Sequence, residues 1–134
     1  MSPELENTFR TSICMNVRSF RKDGTPVDTP TWVIPIDGRL CCYTDDRSYK
    51  IKRLRREPKV EVAASDVWGM RSTAWFPGHC SVVEDEQQRQ RVFDALRQKY
   101  GIHWKMSLWG SLLTGRVRHR VVLQFELDEP TAPA

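Results

Sequence analysis

Short extended-looking stretches, each shut off by a turn-forming step, set the main limit on what this chain can fold into. Ile13–Phe20 and Asp28–Ile36 flank Arg21-Lys22-Asp23-Gly24-Thr25-Pro26, where an Asp-Gly step followed by Pro is hairpin chemistry. Asp37-Gly38 makes a second turn into a strand at Arg39–Tyr43. Val60–Ala64 reads as another strand, Asp66-Val67-Trp68-Gly69 as a turn, and Ser72–Val83 as a longer strand with a bulge or bend at Pro77-Gly78. Arg120–Leu127 is the last of six strands. Helical periodicity is confined to two places. Asp85–Tyr100 places Val92, Phe93, Leu96 and Tyr100 at three- and four-residue spacing and stops at Gly101. A short basic helix, Tyr49–Glu57, is ended by Pro58. Ile102–Leu113, rich in Trp and Leu, reads as a second helix or an irregular hydrophobic cover. The order β-β-β-α-β-β-α-(α)-β predicts a mainly β (α+β) antiparallel barrel with helices packed outside it.

The 134 residues allow one domain with a real core, spanning 1–134 with a lead-in over about 1–10 and a flexible tail at 128–134. Charged residues at 28% and aromatics at 10% exclude wholesale disorder. No apolar run approaches the roughly 20 residues that cross a bilayer. The opening Met-Ser-Pro-Glu-Leu-Glu lacks the apolar stretch of a secretory signal, so the expected location is cytoplasmic, away from membranes. Cys14, Cys41, Cys42 and Cys80 contain no C-x-x-C, and His79, His103 and His119 lie far apart. Buried reduced thiols and no metal are expected.

The charge is focused. Seven cations (Arg47, Lys50, Lys52, Arg53, Arg55, Arg56, Lys59) and a single anion, Glu57, fall between positions 47 and 59 of a chain whose total is only +4. A solvated helix face accounts for such a run, but a single focus also suits one phosphorylated ligand better than a long duplex, which asks for dispersed phosphate contacts.

Cys42-Tyr43-Thr44-Asp45-Asp46-Arg47-Ser48-Tyr49-Lys50-Ile51-Lys52-Arg53-Leu54 follows a strand and opens the basic helix. The first turn of a helix favours anions, so Lys50 and Lys52 there face a positive dipole, a conflict that a bound phosphate removes. Ser48 serves as N-cap or as a hydroxyl donor to the same phosphate. Ile51 and Leu54 are expected to anchor the helix and leave the cations free.

These residues resemble the pyridoxamine-5′-phosphate-oxidase-like split barrels, and most closely the branch that uses the deazaflavin coenzyme F420. Tyr43-Thr44-Asp45 and Ser48-Tyr49-Lys50 stand at the spacing of the family's phosphate-gripping pattern. Arg21–Trp32 is similar to the branch's "R-x-D-G-x-P-x-x-T-P-x-W", and Lys50–Arg55 with Glu57–Val60 to its "K-x-K-R-x-R-x-x-P-x-V". Asp66, Gly69, Trp75, Gly78 and Lys99-Tyr100-Gly101 continue the match. The resemblance implies a six-stranded antiparallel split β-barrel, FMN-binding-protein-like, with flanking helices. It also implies a homodimer with the cofactor at the subunit interface. Thr29, Pro30, Thr31 and Trp32 would lie along the ring by backbone contacts. Thr44, Ser48, Lys50, Lys52 and Arg53 would hold the phosphate tail, Tyr43 and Tyr49 would belong to the same cofactor-binding set, and Trp75 would border the ring or join the core.

The implied activity is transfer of a hydride between reduced F420 and a small organic acceptor, with an FMN- or flavin-binding protein, oxidase-like or non-catalytic, as the alternative. Thr29 and Tyr49 stand where the flavin oxidases carry phosphate-gripping arginines, which disfavours FMN. Trp68 falls where the family has small or basic residues, and Arg18 in a strand that is commonly apolar. Hydride transfer asks the protein mainly for positioning and exclusion of water. The sequence accordingly shows no Ser/His/Asp set and no nucleophilic cysteine, and it names no catalytic residue. Nucleic acid is the less suitable partner, since the cations cluster and no RNA-binding signature is present.

Overall fold

The computed structural model describes residues 1–45, 49–101 and 120–128. In chain order the elements are α1 (Pro3–Thr11), β1 (Cys14–Phe20), β2 (Pro26–Thr31), β3 (Ile34–Ile36), β4 (Arg39–Asp45), α2 (Tyr49–Arg56), β5 (Lys59–Ser65), β6 (Phe76–Val83), α3 (Glu86–Tyr100) and β7 (Arg120–Leu127). The hairpin turn forms as expected. Arg21 N donates to Thr25 O and Gly24 N to Arg21 O, both at 2.9 Å, and Gly24 takes a φ of +87°.

The seven strands form one antiparallel sheet in the order β2-β1-β5-β6-β7-β4-β3. Its two edge strands, β2 and β3, are consecutive in the chain and joined only by Trp32 and Val33. Three trans peptide links reach no further than about 11 Å, so the edges must approach each other and the sheet must roll. The roll stays open, because β2 and β3 are not paired. This corrects the expectation of six strands in a barrel. The stretch Asp28–Ile36 is cut in two at Trp32-Val33, where the chain steps across the seam. Prolines mark both lips, Pro26 and Pro30 on β2 and Pro35 on β3, and a residue without an N–H cannot extend a ladder.

The core lies on both sides of the sheet. Inside the roll, Met15, Val17, Leu40, Cys42, Val62 and Phe125 pack together with Phe9 of α1 and with Ile51 and Leu54 of α2. The anchoring expected of Ile51 and Leu54 is present, at 2% and 5% exposure. Outside the roll, Val92 and Leu96 of α3 cover Ile34, Cys41, Val83 and Val122. Cys41 and Cys42 therefore point to opposite faces and are both buried, as alternation along a strand demands. Burial pushes the Cys41 thiol up to about 12, and all four cysteines are buried and unbridged.

α3 has the caps its sequence asks for. Asp85 accepts from Gln88 N, and Gly101 takes a φ of 55°. Two local expectations change. β6 starts at Phe76 rather than Ser72, because Ser72 and Thr73 turn back onto Ala64: Ser72 N donates to Ala64 O, and Ala64 N donates to Thr73 Oγ1. Pro77 and Gly78 sit in regular register opposite Glu61 and Val60, with no bulge. α1 has no counterpart in the sequence reading. Ile102–Leu113 and residues 129–134 lie outside the described residues, and no helix among those described is long and apolar enough to cross a membrane.

Candidate functional site

The β2 lip of the seam is built by hairpin parity. Arg21 N donates to Thr25 O, which makes that pair hydrogen-bonded. Counting along the register, Ser19–Val27, Val17–Thr29 and Met15–Thr31 are hydrogen-bonded pairs too, while Phe20–Pro26, Arg18–Asp28 and Asn16–Pro30 are not. The backbone groups of Pro26, Asp28 and Pro30 therefore face out of the sheet. Their carbonyls are available there, and with two prolines among them Asp28 supplies the only N–H of the three. The lip is rich in acceptors and holds one donor beside them.

Side chains on the same strand divide between faces. Thr29 and Thr31 stand opposite Val17 and Met15, on the inner face, half-buried. Pro30 and Asp28 are exposed on the outer face, where Asp28 pairs with Arg18 at 2.7 Å. That partner, with its hydrogen bond, holds the Asp28 carboxyl below its ordinary range. It also explains a charged residue in β1: Arg18 is on the outer face and its guanidinium lies 4.1 Å from the Trp75 ring centroid. Trp75 is thus outside the core, just before β6, with Arg71 also at 5.2 Å.

Trp32, at the end of the lip, stacks on Tyr100 of α3 (centroids 4.3 Å apart, planes at 8°) and meets Tyr43 edge-on at 6.3 Å. Tyr43 also packs against Phe93 at 5.9 Å. Tyr43 and Thr44 lie on opposite faces of β4, Tyr43 under α3 with Cys41 and Thr44 inward with Cys42. The structure thus gathers Trp32 and Tyr43 into one aromatic cluster and leaves Thr44 with the inner face.

The basic helix α2 has no acidic residue in its first turn and three cations, Arg53, Arg55 and Arg56, in its last. Arg53 Nε donates to Ser19 Oγ at 3.2 Å, reaching β1 opposite Val27 and so close to the inner side of Thr29. Lys52 is exposed. Tyr49 and Lys50 occupy the first turn, described as backbone, and Ser48 lies outside the described residues. The sequence reading missed that the hairpin turn joins this patch. Arg56 donates to Phe20 O at 3.0 Å, and a basin of about 500 Å³ is lined by Arg21, Lys22, Arg56 and Lys59. A larger groove of about 760 Å³ between α1, β3 and α3 contains none of the expected site residues, and its Arg91 and Asp37 are already paired at 2.9 Å.

Lys99 was legible only as part of a motif, and Tyr100 as part of that motif and of the helix's periodic face; the structure gives both a task. Lys99 Nζ donates to Val33 O at 2.7 Å and to Phe9 O at 3.1 Å. Tyr100 Oη accepts from Val33 N at 3.0 Å and donates to Ile13 O at 2.7 Å. The end of α3 thereby fixes the step across the seam. Burial, offset in part by Cys14, pushes the Lys99 ammonium down to about 8 from 10.5. Between those two values the unfolded chain holds this proton and the folded chain releases it, so stability contributed by Lys99 rises with pH across the window. Lys99→Met should flatten that rise in urea titrations between pH 7.5 and 10; parallel profiles for the two proteins would refute the assignment.

A rolled antiparallel sheet, open along a proline-marked seam and flanked by helices, defines the split-barrel class of folds. The chain belongs to the pyridoxamine 5′-phosphate oxidase family, whose model matches residues 1–129. Among solved structures, a FAD-binding protein from Mesorhizobium loti aligns with a TM-score of 0.67 at 18% identity, over 96% of this chain and 91% of its own. HutZ, the heme storage protein from Vibrio cholerae, gives 0.69 at 11% identity, over 96% and 91%. An F420 reductase gives 0.61 at 13% identity, over 92% and 93%. Identities this low establish a shared fold. Among curated proteins nothing matches.

Proposed function

We propose that this protein binds a flavin-type cofactor along the β2 lip of the seam, coenzyme F420 ahead of FMN, and uses it to pass a hydride to a small organic acceptor. The observation that carries the reading is the outward edge at Asp28–Pro30. A flavin or deazaflavin ring ends in an imide, an N–H between two carbonyls. The Asp28 and Pro30 carbonyls suit the imide N–H, and the Asp28 N–H suits one ring carbonyl. Thr29 in place of an arginine leaves the phosphate to α2, where Lys50, Lys52 and Arg53 supply charge-assisted donors. Bound there, the cofactor supplies the hydride. The chain's own residues orient the ring, hold the phosphate and keep water from the reacting face. A second copy of the chain completes the groove.

The test is a fluorescence titration of the purified protein with F420, FMN and FAD, repeated on Lys50→Ala/Lys52→Ala. Selective deazaflavin binding, weakened about tenfold or more in the double variant as charge-assisted bonds are lost, supports the reading. Equal affinity in variant and parent, with the fold intact, removes the phosphate site; binding of FMN alone moves the protein to the flavin branch.

A further inference from the structure

Among the described residues the buried polar side chains are Asn16, Ser19 and Ser65. Two of them fasten main chain just beyond β5: Asn16 Nδ2 donates to Gly69 O at 3.0 Å, and Ser65 Oγ donates to Asp66 O at 3.2 Å. Ser19 holds a charged side chain instead. It is 2% exposed and stands on the inner face of β1, in line with Met15 and Val17. An apolar residue fits such a position more easily, since burying a hydroxyl is unfavourable unless it is hydrogen-bonded. Both sides of this hydroxyl are used. Its oxygen accepts from Arg53 Nε at 3.2 Å, and its proton is directed to Val27 O along a longer contact of 3.5 Å.

A guanidinium is a planar fork of N–H groups, one on Nε and the rest on its two terminal nitrogens. Ser19 takes the first. Among the described residues nothing takes the others: Arg53 meets no carboxylate, whereas Arg10, Arg18, Arg89, Arg91 and Arg97 each meet one within 3.1 Å. Its neighbour on α2, Arg56, uses a terminal nitrogen on Phe20 O at 3.0 Å, so the two cations of one helix are engaged in opposite ways. Arg53 is half-buried and is held at the base of its fork, with the tip left open. The fork sits close to the inner side of the lip. Ser19 pairs with Val27, which makes Thr29 its diagonal neighbour on the same face, about 7–8 Å away. A fixed fork with both terminal nitrogens open matches two oxygens of a phosphate.

We infer that Ser19 is the positioning residue of the phosphate site: by taking Nε it sets the plane of the Arg53 guanidinium and leaves both terminal nitrogens to two oxygens of one phosphate. The inference rests on the phosphate site of the functional reading above and deepens it. Ser19 itself touches no ligand. Its effect runs through Arg53, because a guanidinium without its Nε partner regains rotamer freedom that binding must then remove. In this way a lip with Thr29 in place of an arginine still presents a guanidinium to the phosphate.

Fluorescence titrations of the full chain with F420, and with the same deazaflavin lacking its phosphate tail, measure the effect. Ser19→Ala is expected to weaken F420 binding about fivefold or more and the phosphate-free ligand less than about twofold. Ser19→Thr, which keeps the hydroxyl, is expected to restore parental affinity, and Ser19→Val gives the matched comparison should the alanine variant fold poorly. In an Arg53→Gln background Ser19→Ala is expected to add nothing, because the two substitutions remove one device. The side-chain Nε–H signal of Arg53 in heteronuclear NMR reads the link without any ligand: it should resist exchange with water in the parent and lose that protection in Ser19→Ala. Unchanged F420 affinity, equal losses for the two ligands, or a full effect of Ser19→Ala in the Arg53→Gln background overturns the inference in favour of a packing role. An unprotected Nε–H in the parent overturns it too and leaves the phosphate site to the titration. A parent with a protected Nε–H that binds F420 no better than the phosphate-free form refutes the phosphate site itself, and the positioning role with it.

Discussion

Phe9→Ala is expected to lower the free energy of unfolding by about 3–5 kcal/mol, the range for deleting a buried aromatic ring from a core. Phe9 is fully buried, stands edge-on to Phe76 with centroids 6.4 Å apart, and belongs to the cluster inside the roll. No strand supplies that volume, so its loss leaves a cavity the sheet cannot collapse into. α1 forms around it for local reasons. Ser2 caps the helix by accepting from Leu5 N, a proline opens it, and Glu4 and Glu6 sit in its first turn. The same residue's carbonyl takes the Lys99 ammonium at 3.1 Å, at the helix end where a cation is favoured. Urea unfolding of Phe9→Ala should show a lower midpoint with an unchanged slope. A change of the midpoint worth less than about 1 kcal/mol would mean that α1 does not close the roll.

Where local chemistry decides a structure, the sequence was readable. The Asp23-Gly24 hairpin, α3 with its Asp85 and Gly101 caps, the Arg120–Leu127 strand and the anchoring of α2 by Ile51 and Leu54 all depend on residues within a few positions of one another. What it hid depends on distant parts of the chain. The split of Asp28–Ile36 cannot be seen in a continuous extended run, since the reason for it is that β2 and β3 sit on opposite edges of a seven-stranded sheet. Trp32 and Tyr43 are grouped as site residues by motif, yet their rings pack under α3 through Tyr100 and Phe93, partners fifty or more positions away. Trp75 looked like a strand residue until the turn of Ser72 and Thr73 onto Ala64 was seen. Arg21 and Lys22 join the basic patch only because the hairpin folds against α2. The cation-rich segment itself was plain, but the acceptor-rich lip required the pairing parity, which no single strand reveals.

Gly78→Ala is expected to cost about 3 kcal/mol, from a different cause than glycine usually invites. Its backbone is ordinary extended strand. The constraint is space: a Cβ there would stand 2.7 Å from Glu126 O and 3.2 Å from the Leu127 Cα. Those are main-chain atoms of β7, which is paired to β6 on one side and to β4 on the other, so relief requires shifting a strand held by two ladders. Overpacking a well-ordered site typically costs 1–3 kcal/mol, and rigid surroundings put this one at the upper end. Gly24→Ala is the natural control. At Gly24 nothing lies within 4 Å of the added methyl, and only the φ of +87° opposes it, a penalty of about 1 kcal/mol. The two glycines thus separate crowding from backbone strain. If Gly78→Ala melts no lower than Gly24→Ala, then β6 and β7 approach less closely in solution than these distances require. If it melts far lower, the Gly78 assigned by motif to the family pattern is there to let two strands meet.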